Sequence, residues 1–181
     1  MERGNIIYAA GLLLLALLCG CDEARTSGAV TEANIVQTKQ ATPTASQQGG
    51  DMGKKPWVID IEQATLNNPN YRQVQWTGEH LQMVLMSLKA GEEIDLELHG
   101  DVDQFLRIEQ GQAQVRVGKT KDNLSFDKKV SENWAILIPS GHWHHIKNIG
   151  KEELKLYTIY APAQHPAGRI QKTYKEAKEV D

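Results

Sequence analysis

Between Tyr71 and Tyr160 the chain is cut into short apolar or alternating runs, each stopped by turn residues, and this punctuation constrains the fold more than any other feature. YRQVQWTG and HLQMVLMSLKAG read as two strands, the second ending at Gly91. EEIDLELHG and the residues after the GDVD turn read as the next two. Residues 112–117, QAQVRV, alternate polar and apolar, as a strand with one wet face does. Leu124 to Lys129 continues the meander, Trp134 to Ile138 reads as a short buried strand ending at Pro139, and LKLYTIY at 154–160 is the last strand. Helical composition is confined to the margins: a turn within IDIEQATL and a solvated terminal helix in QKTYKEAKEV. The expectation is an all-β antiparallel barrel or sandwich with short peripheral helices.

A chain of 181 residues supplies one ordinary domain with extensions. The formal net charge of -3 offers no basic surface for nucleic acid. No internal repeat suggests a solenoid or propeller. The body is expected over 56–175, from Pro56-Trp57-Val58-Ile59 onward, with 176–181 as a tail.

The N-terminus carries an address. Residues 1–20 hold a short polar start with Arg3 and then IIYAAGLLLLALL, too short for a comfortable membrane span but suited to a signal peptide. Leu18-Cys19-Gly20-Cys21 resembles a bacterial lipobox, which implies cleavage before Cys21 and its lipidation. Asp22 tilts the expectation toward the inner membrane, on the extracytoplasmic side of the cell envelope. Residues 21–55, rich in Ser, Thr, Gln, Ala and Gly, read as a flexible tether. Both cysteines fall in this leader region, so the body has none and folds equally well in either redox compartment.

Residues 91–111 place a carboxylate, an imidazole and an amide between two glycines. Glu97 and His99 are two apart and share a face of a strand, and Gln104 follows on the next strand. His144 comes later, after the Pro139-Ser140-Gly141 turn. Asp103 competes with Gln104, but strand alternation turns it to the opposite face.

These spacings resemble the two motifs of the cupin superfamily. The first runs Gly91, five residues, Glu97-Leu98-His99, four residues, Gln104, six residues, Gly111; the second runs Asn133, five residues, Pro139-Ser140-Gly141, His144, Asn148. The departures are Glu97 for a histidine, Gln104 for a glutamate and Asn133 for a glycine. The wording around the motifs resembles small bacterial cupins labelled mannose-6-phosphate isomerase-like. The resemblance implies a cupin jelly-roll β-barrel, commonly dimeric, with a metal inside.

Such a barrel brings Glu97, His99, Gln104 and His144 together as metal ligands. Imidazole, carboxylate and amide oxygen suit Zn, Mn, Fe, Ni or Cu, and on a six-coordinate ion they leave two positions for a bidentate ligand. His142, Tyr157 and His165 are candidate substrate contacts; Tyr157 and Tyr160 fall on opposite strand faces, so at most one of them readily enters the lumen. Trp134 and Trp143 read as packing anchors. The expected function is a membrane-tethered, metal-binding cupin that binds or converts a small oxygen-rich molecule, a sugar or a keto or hydroxy compound. As an enzyme it would be a metal-dependent isomerase or a dioxygenase-type cupin. Literal mannose-6-phosphate isomerase activity is not expected, because the lipobox removes the domain from cytoplasmic phosphosugars and no Arg/Lys phosphate clamp lies near the motifs. The alternative is a non-catalytic small-molecule or metal-binding module on the same scaffold.

Overall fold

A computed structural model describes residues 50–179. Ten strands form two antiparallel sheets with few short helices. They are β1 Arg72–Thr77, β2 Gln82–Leu88, β3 Glu93–Leu98, β4 Asp103–Gln110, β5 Gln112–Gly118, β6 Phe126–Ser131, β7 Ala135–Ile138, β8 Trp143–Asn148, β9 Leu154–Ala161 and β10 Ile170–Gln171. The larger sheet has the order β10-β1-β2-β9-β4-β7 and the smaller β3-β8-β5-β6. This is the expected all-β jelly-roll barrel.

Alternation decides which side chains fill it. Val84, Met86 and Leu88 of β2, Leu106 and Ile108 of β4, and Leu154 and Leu156 of β9 face Ile94, Ala113, Val115 and Ile146 of the smaller sheet in one buried cluster. β2 is buried on both faces, because helix α1, Ile61–Asn67, packs across the outside of the larger sheet against β2, β4 and β9. Asp60 caps α1 by accepting from the Gln63 N–H, and the chain leaves it at Asn68-Pro69.

The turns explain the motif glycines. Gly111 has φ +92°, and a Cβ there would sit 3.0 Å from the Glu153 carbonyl oxygen. Asn133 stands where the family motif calls for glycine and adopts φ +68°, a conformation that asparagine tolerates better than most residues. Its side-chain oxygen accepts from Arg107 Nη2 at 2.9 Å. Asn148, the last motif residue, is buried; its amide donates to the carbonyls of Leu88 and Glu152, and its oxygen accepts from the Gly150 N–H. One side chain thus ties the end of β2 to the turn between β8 and β9.

Three details differ from the sequence expectation. Packing reaches N-terminal of Pro56: Asp51 accepts from the Thr77 N–H, the Thr77 hydroxyl and the Gly168 N–H. The terminal helix α2, Tyr174–Lys178, is docked rather than solvated, with Ala177 buried and the Tyr174 hydroxyl 2.7 Å from Asp95. The strand ending at Pro139 is a half-exposed edge rather than a buried strand, since Leu137 is 74% and Trp134 52% exposed.

Candidate metal centre

One cross-strand row from each sheet builds the site. In the larger sheet Gln82, Tyr160, Gln104 and Ile138 lie opposite one another along β2, β9, β4 and β7. In the smaller sheet Glu97, His144 and Val117 do the same along β3, β8 and β5. The rows meet inside the barrel, where the His99 ring meets Tyr160 edge-on at 5.7 Å between centroids.

Glu97 reaches the lumen through a bulge. Ile94 pairs with Ile146 and Glu97 with His144, so β3 advances three residues where β8 advances two. Strict alternation from the buried Ile94 would send Leu96 and Leu98 inward; the extra residue reverses the phase, leaves Leu98 exposed and aims Glu97 and His99 into the barrel.

One oxygen of Glu97 serves both imidazoles, 3.1 Å from His144 Nε2 and 3.2 Å from His99 Nε2. The ligand atoms of Glu97, His99 and His144 all lie within 4.8 Å of one another. His144 Nδ1 is 3.1 Å from the His142 carbonyl, which can only accept, so this nitrogen carries the proton. In the neutral ring Nε2 is then a bare lone pair facing a carboxylate oxygen. Two acceptors in contact need a cation between them, either a proton or a metal. Burial pushes the Glu97 carboxyl up, but hydrogen bonds and charge from His144 and His99 outweigh it and hold the group below the ordinary carboxylate range.

Gln104 is buried, and its Nε2 donates to the Thr158 hydroxyl at 3.1 Å while Oε1 is buried with no partner among the described residues. An orphaned acceptor in the lumen is what a cation would satisfy. The donor set therefore fits a metal of borderline hardness. Asp103 faces out, accepting from the Ser140 N–H at 2.8 Å.

The candidate substrate contacts separate. Tyr157 is corrected: it lies on the outer face of the larger sheet, its ring 6.0 Å from Phe105, because its parity on β9 is opposite to that of Tyr160. Tyr160, fully buried, is the lumen tyrosine. His142 sits at the rim with Nδ1 donating toward the carbonyls of Pro139 and Ser140. His165 comes inward on the loop after β9, its ring edge-on to Tyr160 at 5.1 Å, and its Nε2 is buried without a partner among the described residues. Burial, with the Arg72 charge adding, pushes this imidazole down to about 3, so it is neutral near pH 7.

Gln82 holds that loop and was not anticipated from the sequence. Fully buried, it accepts from the N–H groups of Gln164 and His165 and donates to the His165 carbonyl at 2.8 Å. A polar residue heading the apolar run MVLMSL was the available signal. Cys21 and the proposed leader lie outside the described residues.

The Cupin domain family matches residues 84–160. The chain is 50% identical over 127 residues to the uncharacterized protein YrkC of Bacillus subtilis (strain 168), covering 70% of this chain and 68% of that one. It is 48% identical over 115 residues to the uncharacterized protein L612 of Acanthamoeba polyphaga mimivirus, covering 63% of this chain and 70% of that one. Among solved structures, BH2720 from Bacillus halodurans is 47% identical with a TM-score of 0.71, covering 72% of this chain and 99% of that one.

Proposed function

This chain belongs to the cupin family, and from that premise we propose that it binds a divalent transition metal through Glu97, His99, His144 and Gln104 and takes up a small oxygen-rich molecule there. The observation that carries the reading is the contact of Glu97 Oε1 with His144 Nε2 at 3.1 Å while the His142 carbonyl holds the proton on Nδ1. When bound, the metal supplies Lewis-acid polarisation of a carbonyl or hydroxyl, or, if it is iron, dioxygen activation. The chain's residues do the rest. Thr158 orients the Gln104 amide, the His142 carbonyl fixes the His144 tautomer, and Gln82 positions the loop that presents His165. His165, neutral and without a partner at Nε2 among the described residues, can hydrogen-bond a ligand hydroxyl or carbonyl.

Elemental analysis of protein purified without chelators tests the metal. A stoichiometric transition metal in the wild type, lost in folded Glu97→Gln and His144→Ala variants, is expected; a metal-free wild type that also refuses Zn, Mn, Fe, Ni and Cu overturns the reading. Turnover of a sugar and keto-acid panel by loaded protein then separates an isomerase- or dioxygenase-type enzyme from a binding module.

The membrane tether is proposed from the sequence alone. Cys21 carries the lipid anchor at the cell envelope, and Cys21→Ala should block processing or release the domain from membrane fractions.

A further inference from the structure

The two sheets end in strands that leave a slot between them. β7 closes the larger sheet and β6 the smaller, and among the described residues neither has a further strand on its outer side. Between them lies a cavity of about 520 Å³, within the range of small-molecule sites. Its floor is made of lumen-facing Val115, Val117, Val130 and Ile136. Its lips are Phe126, Trp134 and Leu137, all at least half exposed. So much apolar surface converging on one opening is unusual for a face that only water meets.

The slot's floor adjoins the strand that carries His144. Val117 is the cross-strand partner of His144, both on the lumen face, and His142 lines the same cavity at the rim. The floor lies inside the barrel, out of reach of a folded partner's surface but open to a narrow group. A sugar seated on the floor would set hydroxyls against valine and isoleucine, and the cavity's polar side chains, Lys119, Ser125, Lys128 and His142, are few beside its apolar ones.

We propose that this slot holds the apolar body, an aryl or short acyl group, of an amphipathic ligand whose oxygen-bearing head lies at Glu97, His99 and His144. The proposal rests on the metal reading above and narrows its oxygen-rich ligand to a compound with one polar end.

The test uses full-length protein loaded with zinc and titrated with acetohydroxamate and benzohydroxamate, which share a chelating head. The phenyl body should tighten binding about tenfold or more, the return from burying most of a ring. In Trp134→Ala, a lip substitution, that gain should fall below about threefold while acetohydroxamate binds as before. Equal affinity of the two probes for the wild type overturns the proposal.

A second arm needs no metal: p-cresol titrated into metal-free protein should shift the methyl resonances of Val115, Val117, Val130 and Ile136. If neither hydroxamate binds but cresol shifts these methyls, the slot stands and the metal reading falls. If both hydroxamates bind alike and cresol shifts nothing, the slot proposal falls and the metal reading stands. A dimer that Leu137→Asp dissociates, with cresol excluded, would make the slot an interface between copies and overturn the proposal.

Discussion

Two carboxylate–imidazole pairs stand back to back on the smaller sheet. Inside, Glu97 meets His144 at 3.1 Å; outside, one residue further along β8, His145 Nε2 meets Glu93 at 3.1 Å. Their chemistry and distance match, but their surroundings do not. Outside, Arg116 Nη2 donates to His145 Nδ1 at 2.9 Å, so His145 Nε2 carries the proton it gives to Glu93, and Lys147 adds a cation at 3.5 Å. Both ring nitrogens of His145 thus have a partner. Inside, the proton is on the other nitrogen, and among the described residues the only ion-pair partners of Glu97 are His99 and His144. The outer pair is complete, whereas the inner pair sets two acceptor atoms in contact that take a proton or a metal between them. A buried set of convergent acceptors is therefore informative where a carboxylate–histidine contact alone is not.

The contrast breaks most sharply on metal affinity. Glu97→Gln should weaken zinc binding by at least about 100-fold, while Glu93→Gln stays within about twofold, by competition with a chromophoric chelator. Comparable losses would erase the distinction.

Metal removal should cost the wild type about 2.7 kcal/mol of unfolding free energy when zinc is supplied at 100 times its dissociation constant. His144→Ala should show no such dependence in denaturant titrations with and without chelator.

Acid sharpens the contrast by window. The folded-state value of His165 lies below its unfolded one, so the unfolded chain binds the extra proton, and stability present above pH 6.5 is lost as pH falls toward about 3. For Glu93, burial raises the carboxyl, but the His145 hydrogen bond and charge, with Lys147, bring it below its ordinary value. Its contribution is present above the unfolded value and lost only at lower pH, as it falls through the folded value. Between pH 6.5 and 5 the wild type should thus lose about 1 to 2 kcal/mol more than His165→Gln; parallel curves would contradict the buried, neutral imidazole.

The smallest effect belongs to the outer pair. A double-mutant cycle of Glu93→Gln with His145→Gln should give a coupling below about 1 kcal/mol, since solvent reaches Glu93 and Arg116 and Lys147 remain.

Much of the candidate site was legible because strand parity and motif spacing are local. The two-residue step from Glu97 to His99 put them on one face, and the odd step from Asp103 to Gln104 separated those two; the structure has both. Parity could not say which face was inside, so Tyr157 and Tyr160 were distinguishable in sequence only as opposites. The bulge between Ile94 and Glu97 was illegible, because an extra residue on one strand is defined only against its partner. Gln82 and the slot escaped for a related reason: the first grips a loop 82 residues away, and the second is bounded by strands of different sheets.

The sequence by itself determined an all-β body and its turn positions, and motif spacing singled out Glu97, His99, Gln104 and His144 as candidates, since these follow from periodicity, glycine conformation and spacing along the chain. Tertiary structure alone decided that one Glu97 oxygen faces two imidazoles, that His144 is turned with its lone pair toward it, and that His145, one residue further on, has a partner at both ring nitrogens. Those outcomes depend on which carbonyl, guanidinium or carboxylate arrives from a distant strand, and such groups meet only when the sheets close.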